Sequence, residues 1–215
     1  MNILVVGGGA VGKSVSRQLA KDKDNQVTII DFELESQQKN PLNGVKWVSG
    51  DATDRSVQVA AGAETADVFV VATGDDQANL VASMIAKSEF NVPKVIARVN
   101  HPKNSPLFID SWGVDLAVST PKTLTTLIQD AVAIDKIVPV FDFAQSGSKL
   151  LKYTIGPDSS YIGQKNSGSA REQFELPANT VFVALTRQGK TYEPNESVIF
   201  EAGDELLFLA HSFGM

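Results

Sequence analysis

Residues 1–31 read MNILVVGGGAVGKSVSRQLAKDKDNQVTIID, and the fold follows from their order. The apolar run Ile3-Leu4-Val5-Val6 has the length and β-branching of a parallel strand buried on both faces. It runs into Gly7-Gly8-Gly9-Ala10-Val11-Gly12, which satisfies G-x-G-x-x-G. A helical pattern follows, with Val11, Val15, Leu19 and Ala20 on one face and Ser14, Arg17, Gln18 and Lys21 turned away. A second apolar run, Val27 to Ile30, ends on Asp31. In such a unit Gly7 allows the tight turn, Gly9 admits a pyrophosphate to the backbone, and Gly12 lets helix and strand pack closely. The helix N-terminus offers N–H groups and partial positive charge to an anion. Asp31, at the tip of the second strand, is placed to accept hydrogen bonds from ribose hydroxyls. An acid rather than arginine there points to NAD or an adenine nucleotide and away from a 2′-phosphate.

The rest of the composition narrows the class. A chain of 215 residues is long enough for one large domain or two small ones. A net charge of −6 leaves no basic stripe to neutralise phosphates, which argues against a nucleic-acid partner. Without cysteine there is no disulfide, no thiolate chemistry and no Cys-based metal site. With His101 and His211 as the only histidines, a histidine-rich metal site is not expected. The start does not read as a signal peptide and no run approaches eighteen apolar residues, so the expected location is cytoplasmic.

Along the chain, Phe32 to Gly44 reads as a polar loop or short helix plus turn, and Val45 to Val48 as a third strand. That strand delivers Ser49-Gly50-Asp51-Ala52-Thr53-Asp54 to a helix through Ala61, with Thr53 or Asp54 as its cap. Further strands are expected at Asp67–Ala72, Lys94–Val99 and Asp115–Val118. Between them lie helices over Asp76–Phe90, with Leu80, Met84 and Ile85 inward, and around Lys103–Trp112. Pro121 opens another helix whose stripe of Leu124, Leu127, Ile128, Ala131 and Val132 suits a core or, at a domain edge, a dimer or crossover helix. Strand and helix alternating with short loops predict an α/β fold, a Rossmann-type doubly wound parallel sheet over residues 1–136. Residues 137–147, with the small-residue stretch Ala144-Gln145-Ser146-Gly147-Ser148, read as a linker. Residues 148–215 read as a small α+β domain: a strand over Leu150–Ile155, a short helix over Ser169–Phe174, a strand over Thr180–Arg187 turning at Gln188-Gly189, and a last strand over Glu205–Ala210.

No catalytic set accompanies the glycine turn. Tyr161-Ile-Gly-Gln-Lys165 with Ser148 imitates the trio of short-chain dehydrogenases, but Gly163, Asn166, Ser167 and Gly168 deny it a long helix and Ser148 lies in the linker. His101, before Pro102, suits a cap, and His211 an exposed position. Asp51 with Asp54, and Asp75 with Asp76, suit nucleotide contacts and helix capping. An NAD-dependent oxidoreductase is the alternative that the glycine turn alone would suggest.

Taken together, GGGAVG with Asp31, Gly50-Asp51-Ala52-Thr53-Asp54, ADVFVVATGDDQANLVAS, VIARVN and then YIGQK, FVALTRQG and FEAGDELLFLA resemble the KTN/RCK family over nearly the whole chain. These are cytoplasmic regulatory subunits of Trk- and Ktr-type potassium uptake systems. The resemblance implies a non-catalytic subunit that binds NAD(H), ADP or ATP and assembles as dimers into a ring. Such a ring gates a membrane-embedded potassium transporter from the inner face of the cell membrane. By position, Gly7, Gly9 and Gly12 with the N–H groups of Ala10 and Val11 would hold phosphates, and Asp31 the ribose. Asp51 and Ala52 would contact the adenine edge, Thr73 and Gly74 would line the crevice, and Arg98 would face the phosphates unless it pairs with Asp75 or Asp76. No metal ligand is implied. Where many ATP-responsive members place Arg, this chain has Ala10, for which Lys13 would stand in from another direction. Where they place Glu for a shared cation, it has Lys122. Both departures weaken an ATP/cation switch and leave NAD(H) or ADP. The resemblance also implies cyclic di-AMP as a ligand open to the C-terminal module of residues 148–215, at a dimer interface as in some relatives.

Overall fold

Strand β1 (Asn2–Val6) has parallel partners on both sides, β2 (Gln26–Asp31) and β4 (Val68–Val71). The structure is a computed structural model and describes residues 1–32, 42–143, 146–165, 170–194 and 197–211. The expected loop or helix over residues 33–41, Ala144 and Gln145 of the expected linker, and residues 166–169 lie outside the described residues. With β3 (Val45–Ser49), β5 (Lys94–Val99) and β6 (Leu116–Ser119), the first sheet runs β3-β2-β1-β4-β5-β6, all parallel. Strand order therefore reverses between β1 and β4. Alternate side chains of β1 serve two cores: Ile3 and Val5 pack with Val27 and Ile29, while Leu4 and Val6 pack with Ile30, Phe69 and Val71. Both faces are covered, which is why the strand is apolar throughout rather than alternating.

The helices follow their caps. Helix α1 (Ala10–Leu19) begins at the glycine turn, and α2 (Arg55–Ala61) is capped by Asp54, whose side chain accepts from Ser56 N at 2.7 Å. Helix α3 (Asp76–Ser88) is capped by Asp75, which accepts from Gln77 N at 2.7 Å. Two inward faces differ from expectation. On α1 the buried positions are Gly12 and Ser16, and Val11 is exposed. On α3 the inner face is Asn79, Leu80, Ala82, Ser83 and Ala86, and Met84 is 40% exposed. Small side chains face inward because backbone comes close. A Cβ on Gly12 would lie 1.8 Å from Gly7 O, and one on Gly113 would lie 2.9 Å from Ser83 O. The expected helix over Lys103–Trp112 is instead two short 3₁₀ turns, Pro102–Leu107 and Asp110–Trp112, because Pro106 has no N–H to continue an α-helical ladder.

The chain divides into two compact units, Met1–Thr123 and Leu124–Met215, so the division falls inside helix α4 (Thr120–Val132). The stripe on α4 is no core: Leu124, Leu127, Ile128 and Val132 are all more than half exposed. The expected linker is also corrected. Its apolar part is strand β7 (Ile137–Phe143), which pairs antiparallel with β8 (Ser148–Thr154), and Gly147 N donates to Phe143 O at 2.9 Å in the turn between them. A small-residue stretch closes a hairpin as readily as it links domains. With β9 (Thr180–Arg187), β10 (Lys190–Tyr192) and β11 (Glu205–His211), the second sheet runs β10-β9-β11-β8-β7, all antiparallel. It carries an aromatic core of Tyr153, Phe174, Phe182, Phe200 and Phe208, beside the short helix α5 (Ala170–Gln173). Asp204, fully buried, is held by Arg187 through Nη2 at 2.7 Å.

Candidate functional site

A cavity of about 730 Å³ opens at the carboxyl ends of the first-sheet strands, beside the reversal of strand order. Open α/β sheets bind ligands at that place, and the volume is that of a small-molecule site. Gly7, Gly9, Ala10 and Val11 line it from the turn after β1, and Ile30, Asp31 and Phe32 from the end of β2. Gly50, Asp51, Ala52 and Thr53 come from the loop after β3, Thr73, Gly74 and Asp75 from the end of β4, and Arg98 from β5. The residues that the resemblance assigns to the nucleotide are thus gathered into one cavity, with the exception of Gly12. Gly12 is a packing residue, pressed against the carbonyl of Gly7.

The turn is built for close approach. Gly7 has φ +102°, and a Cβ there would meet the Ala72–Thr73 peptide at 3.2 Å. At Gly9 a Cβ would meet nothing within 4 Å, so the backbone at the helix entrance is open to the cavity. No side chain caps α1 and no acid lies in its first turn. Among the described residues, no side chain of the helix itself offsets its positive end. Asp31 Oδ2 accepts from Gly8 N, which ties the tip of β2 to the glycine turn. Asp51 Oδ1 accepts from Thr53 N at 2.8 Å and shapes the loop after β3.

On the far wall the guanidinium of Arg98 has no ion pair or hydrogen bond among the described residues, and its Nε is buried without a partner. The pairing with Asp75 or Asp76 is not formed. Asp75 caps α3, and Asp76 accepts from Asn100 N at 2.7 Å, Asn100 Nδ2 at 3.0 Å, Asn104 Nδ2 at 2.8 Å and His101 N at 2.9 Å. Burial pushes the Asp76 carboxyl up, but these hydrogen bonds outweigh it and hold the group below its ordinary value. Asn79, fully buried on α3, accepts from Thr73 Oγ1 at 2.6 Å and donates to Arg98 O at 2.9 Å. It holds two lining strands in register. Sequence reasoning missed Asn79, for which a polar residue on the inner face of a helix was the available signal. It also missed Phe32, although Phe32 follows Asp31 directly. Lys13 does not stand in for an arginine in the turn: its Nζ lies 5.8 Å from the Trp47 ring centroid, and it does not line the cavity.

The Tyr161, Lys165 and Ser148 trio is dispersed among structural contacts. Tyr161 Oη donates to Gln173 O at 3.2 Å, Lys165 pairs with Ile199 in a β-bridge, and Ser148, on β8 rather than in a linker, contacts His211 Nδ1 at 2.9 Å. His101 Nδ1 accepts from Lys103 N at 3.2 Å as a cap. Among the described residues there is no cluster of His, Cys, Asp or Glu that could hold a metal, and no helix is long and apolar enough to cross a membrane.

With this geometry in view, the comparisons with known proteins are direct. Residues 3–120 match the TrkA-N domain family. The chain is 39% identical over 210 residues to the Trk system potassium uptake protein TrkA of Mycobacterium tuberculosis, covering 98% of this chain and 93% of that protein. The chain belongs to the TrkA family. The TrkA protein of Vibrio alginolyticus is 28% identical over 221 residues, covering 99% of this chain, and this chain spans 47% of its length. Among solved structures, the GsuK channel bound to NAD shares the fold with a TM-score of 0.67 at 14% identity, over 98% of this chain and 37% of that one.

Proposed function

We propose that this chain is a nucleotide-binding, non-catalytic regulatory subunit of a Trk- or Ktr-type potassium uptake system. One observation carries the reading: an uncapped helix N-terminus and an arginine with no ion pair among the described residues line one cavity. Both are groups that bind phosphate and neither does covalent chemistry. The carboxylates of the same cavity are engaged by backbone N–H groups, Asp31 by Gly8, Asp51 by Thr53 and Asp75 by Gln77, so they shape the walls. We assign phosphates to Gly7, Gly9, Ala10, Val11 and Arg98, ribose to Asp31, the base edge to Asp51 and Ala52, and the crevice wall to Thr73 and Gly74. NAD(H) or ADP fits the three lining carboxylates and single lining cation better than the more highly charged ATP.

In this reading the first unit is the nucleotide (KTN/RCK N) domain and the second the RCK C-terminal domain. The exposed stripe on α4 supports homodimers, which would assemble into a ring beneath a membrane-embedded potassium transporter at the cytoplasmic face. The ligand would act by binding one ring conformation more tightly than another. Calorimetry of the full chain with NAD⁺, NADH, ADP, ATP and cyclic di-AMP tests the ligand. Binding of none of the adenine nucleotides would refute the reading, and binding of cyclic di-AMP alone would move the sensor to the second unit.

A further inference from the structure

Phe32 is the one aromatic side chain among the residues that line the cavity, and it is 70% exposed. No other described aromatic residue is so exposed, and Phe32 makes no ring contact within the described chain. A single exposed apolar residue needs no explanation by itself. Two features of its place set this one apart. It directly follows Asp31, whose carboxylate is fixed by the glycine turn, so its backbone is anchored at the tip of β2. Asp31 O in turn accepts from Gly50 N at 3.0 Å, which sets the loop carrying Asp51 and Ala52 beside it. Along the sheet Phe32 is separated from Arg98 by β1 and β4, and of the lining segments only the loop after β3 lies farther from Arg98.

We infer that Phe32 is the platform on which the base of the bound nucleotide stacks, and that it sets the preference for ligands carrying a flat heteroaromatic ring. This rests on the nucleotide reading above. Phosphate groups engage the α1 end and Arg98, neither of which distinguishes one phosphorylated molecule from another. An aromatic face supplies that distinction, because stacking needs a π-surface on the ligand and is blind to its charge. Phe32 loses exposed area to the base on binding, so the interaction adds to affinity without breaking a ring contact among the described residues.

The test uses the full chain, its Phe32→Ala and Phe32→Trp variants, and two probes, ADP and inorganic pyrophosphate. Phe32→Ala should weaken ADP by about tenfold or more, the factor for losing one stacked base, and leave pyrophosphate unchanged. Phe32→Trp should restore ADP affinity and give an indole signal that ADP quenches and pyrophosphate does not. Equal ADP affinity in wild type and Phe32→Ala would overturn the inference while the nucleotide site stands. Equal weakening of ADP and pyrophosphate would overturn it too, by showing that Phe32 acts through the turn. A wild-type chain that binds no adenine nucleotide would instead defeat the underlying site.

Discussion

Replacing Arg98 by methionine separates a ligand-facing cation from a structural one. The guanidinium has no ion pair among the described residues and its buried Nε has no acceptor. An unsatisfied buried donor costs folding about 1–3 kcal/mol, so removing it while keeping a side chain of similar length should leave the empty protein as stable or slightly more stable. In the nucleotide complex the guanidinium of Arg98 would donate to a phosphate, and a hydrogen bond to a charged group is worth about 1.5–3 kcal/mol. Affinity should therefore fall by about ten- to a hundredfold. At a ligand concentration of about a hundred times the wild-type Kd, binding protects the wild type by about 2.7 kcal/mol, and the variant by only about 0.4–1.4 kcal/mol. Both tryptophans, Trp47 and Trp112, lie in the first unit, so their fluorescence follows its unfolding with and without ADP or NAD⁺. Undiminished ligand protection would refute the assignment of Arg98 to phosphate. A large loss of stability in the empty variant would show that the arginine is structural after all.

Gly12→Ala places a Cβ 1.8 Å from Gly7 O, so the turn must shift. A destabilisation of about 1–3 kcal/mol, with lost nucleotide affinity, should appear in the same fluorescence assay. Asp76→Ala orphans the donors of Asn100, His101 and Asn104 and should cost at least about 2 kcal/mol at neutral pH. Its folded pKa lies below the free value of 3.8, so the contribution is whole above that value and lost as pH falls through the lowered one. Wild type and variant should accordingly converge in strong acid, as acid-unfolding curves will report. Ile128→Asp alters a side chain that is 54% exposed on α4, and should change folding by no more than about 0.5 kcal/mol. Light scattering should nevertheless show the variant at a lower mass than the wild type, if that stripe is the dimer contact.

The first sheet was legible because its code is local. A short apolar run, a glycine turn and an acid at a fixed offset specify strand, helix and strand without reference to the rest of the chain. The G-x-G-x-x-G spacing gives Gly7 and Gly12 separate duties, and the structure separates them, one by its positive φ and the other by its close approach. Periodicity failed where packing partners are backbone. Met84 looks inward by spacing, yet the backbone at Gly113 comes close to the α3 backbone at Ser83 and Met84, and Ser83 rather than the Met84 side chain is buried there. The stripe on α4 failed differently: the same apolar spacing serves a core or an exposed face, and sequence alone does not choose. Residues 137–143 form a strand where a linker was expected, because an apolar run ahead of small residues has the composition of either. At the site, Arg98 could be placed on its strand, but whether Asp75 and Asp76 would capture it depended on Asn100 and Asn104 lying near in space.

Potassium flux through the partner transporter in membrane vesicles, with the purified chain added in nucleotide-free and nucleotide-saturated form, tests the central claim most directly. Recovery of the nucleotide belongs to the same measurement. The account predicts a flux that differs between the two forms, with the nucleotide recovered unchanged. Tight binding with identical flux in both forms, or turnover of the nucleotide, would contradict it.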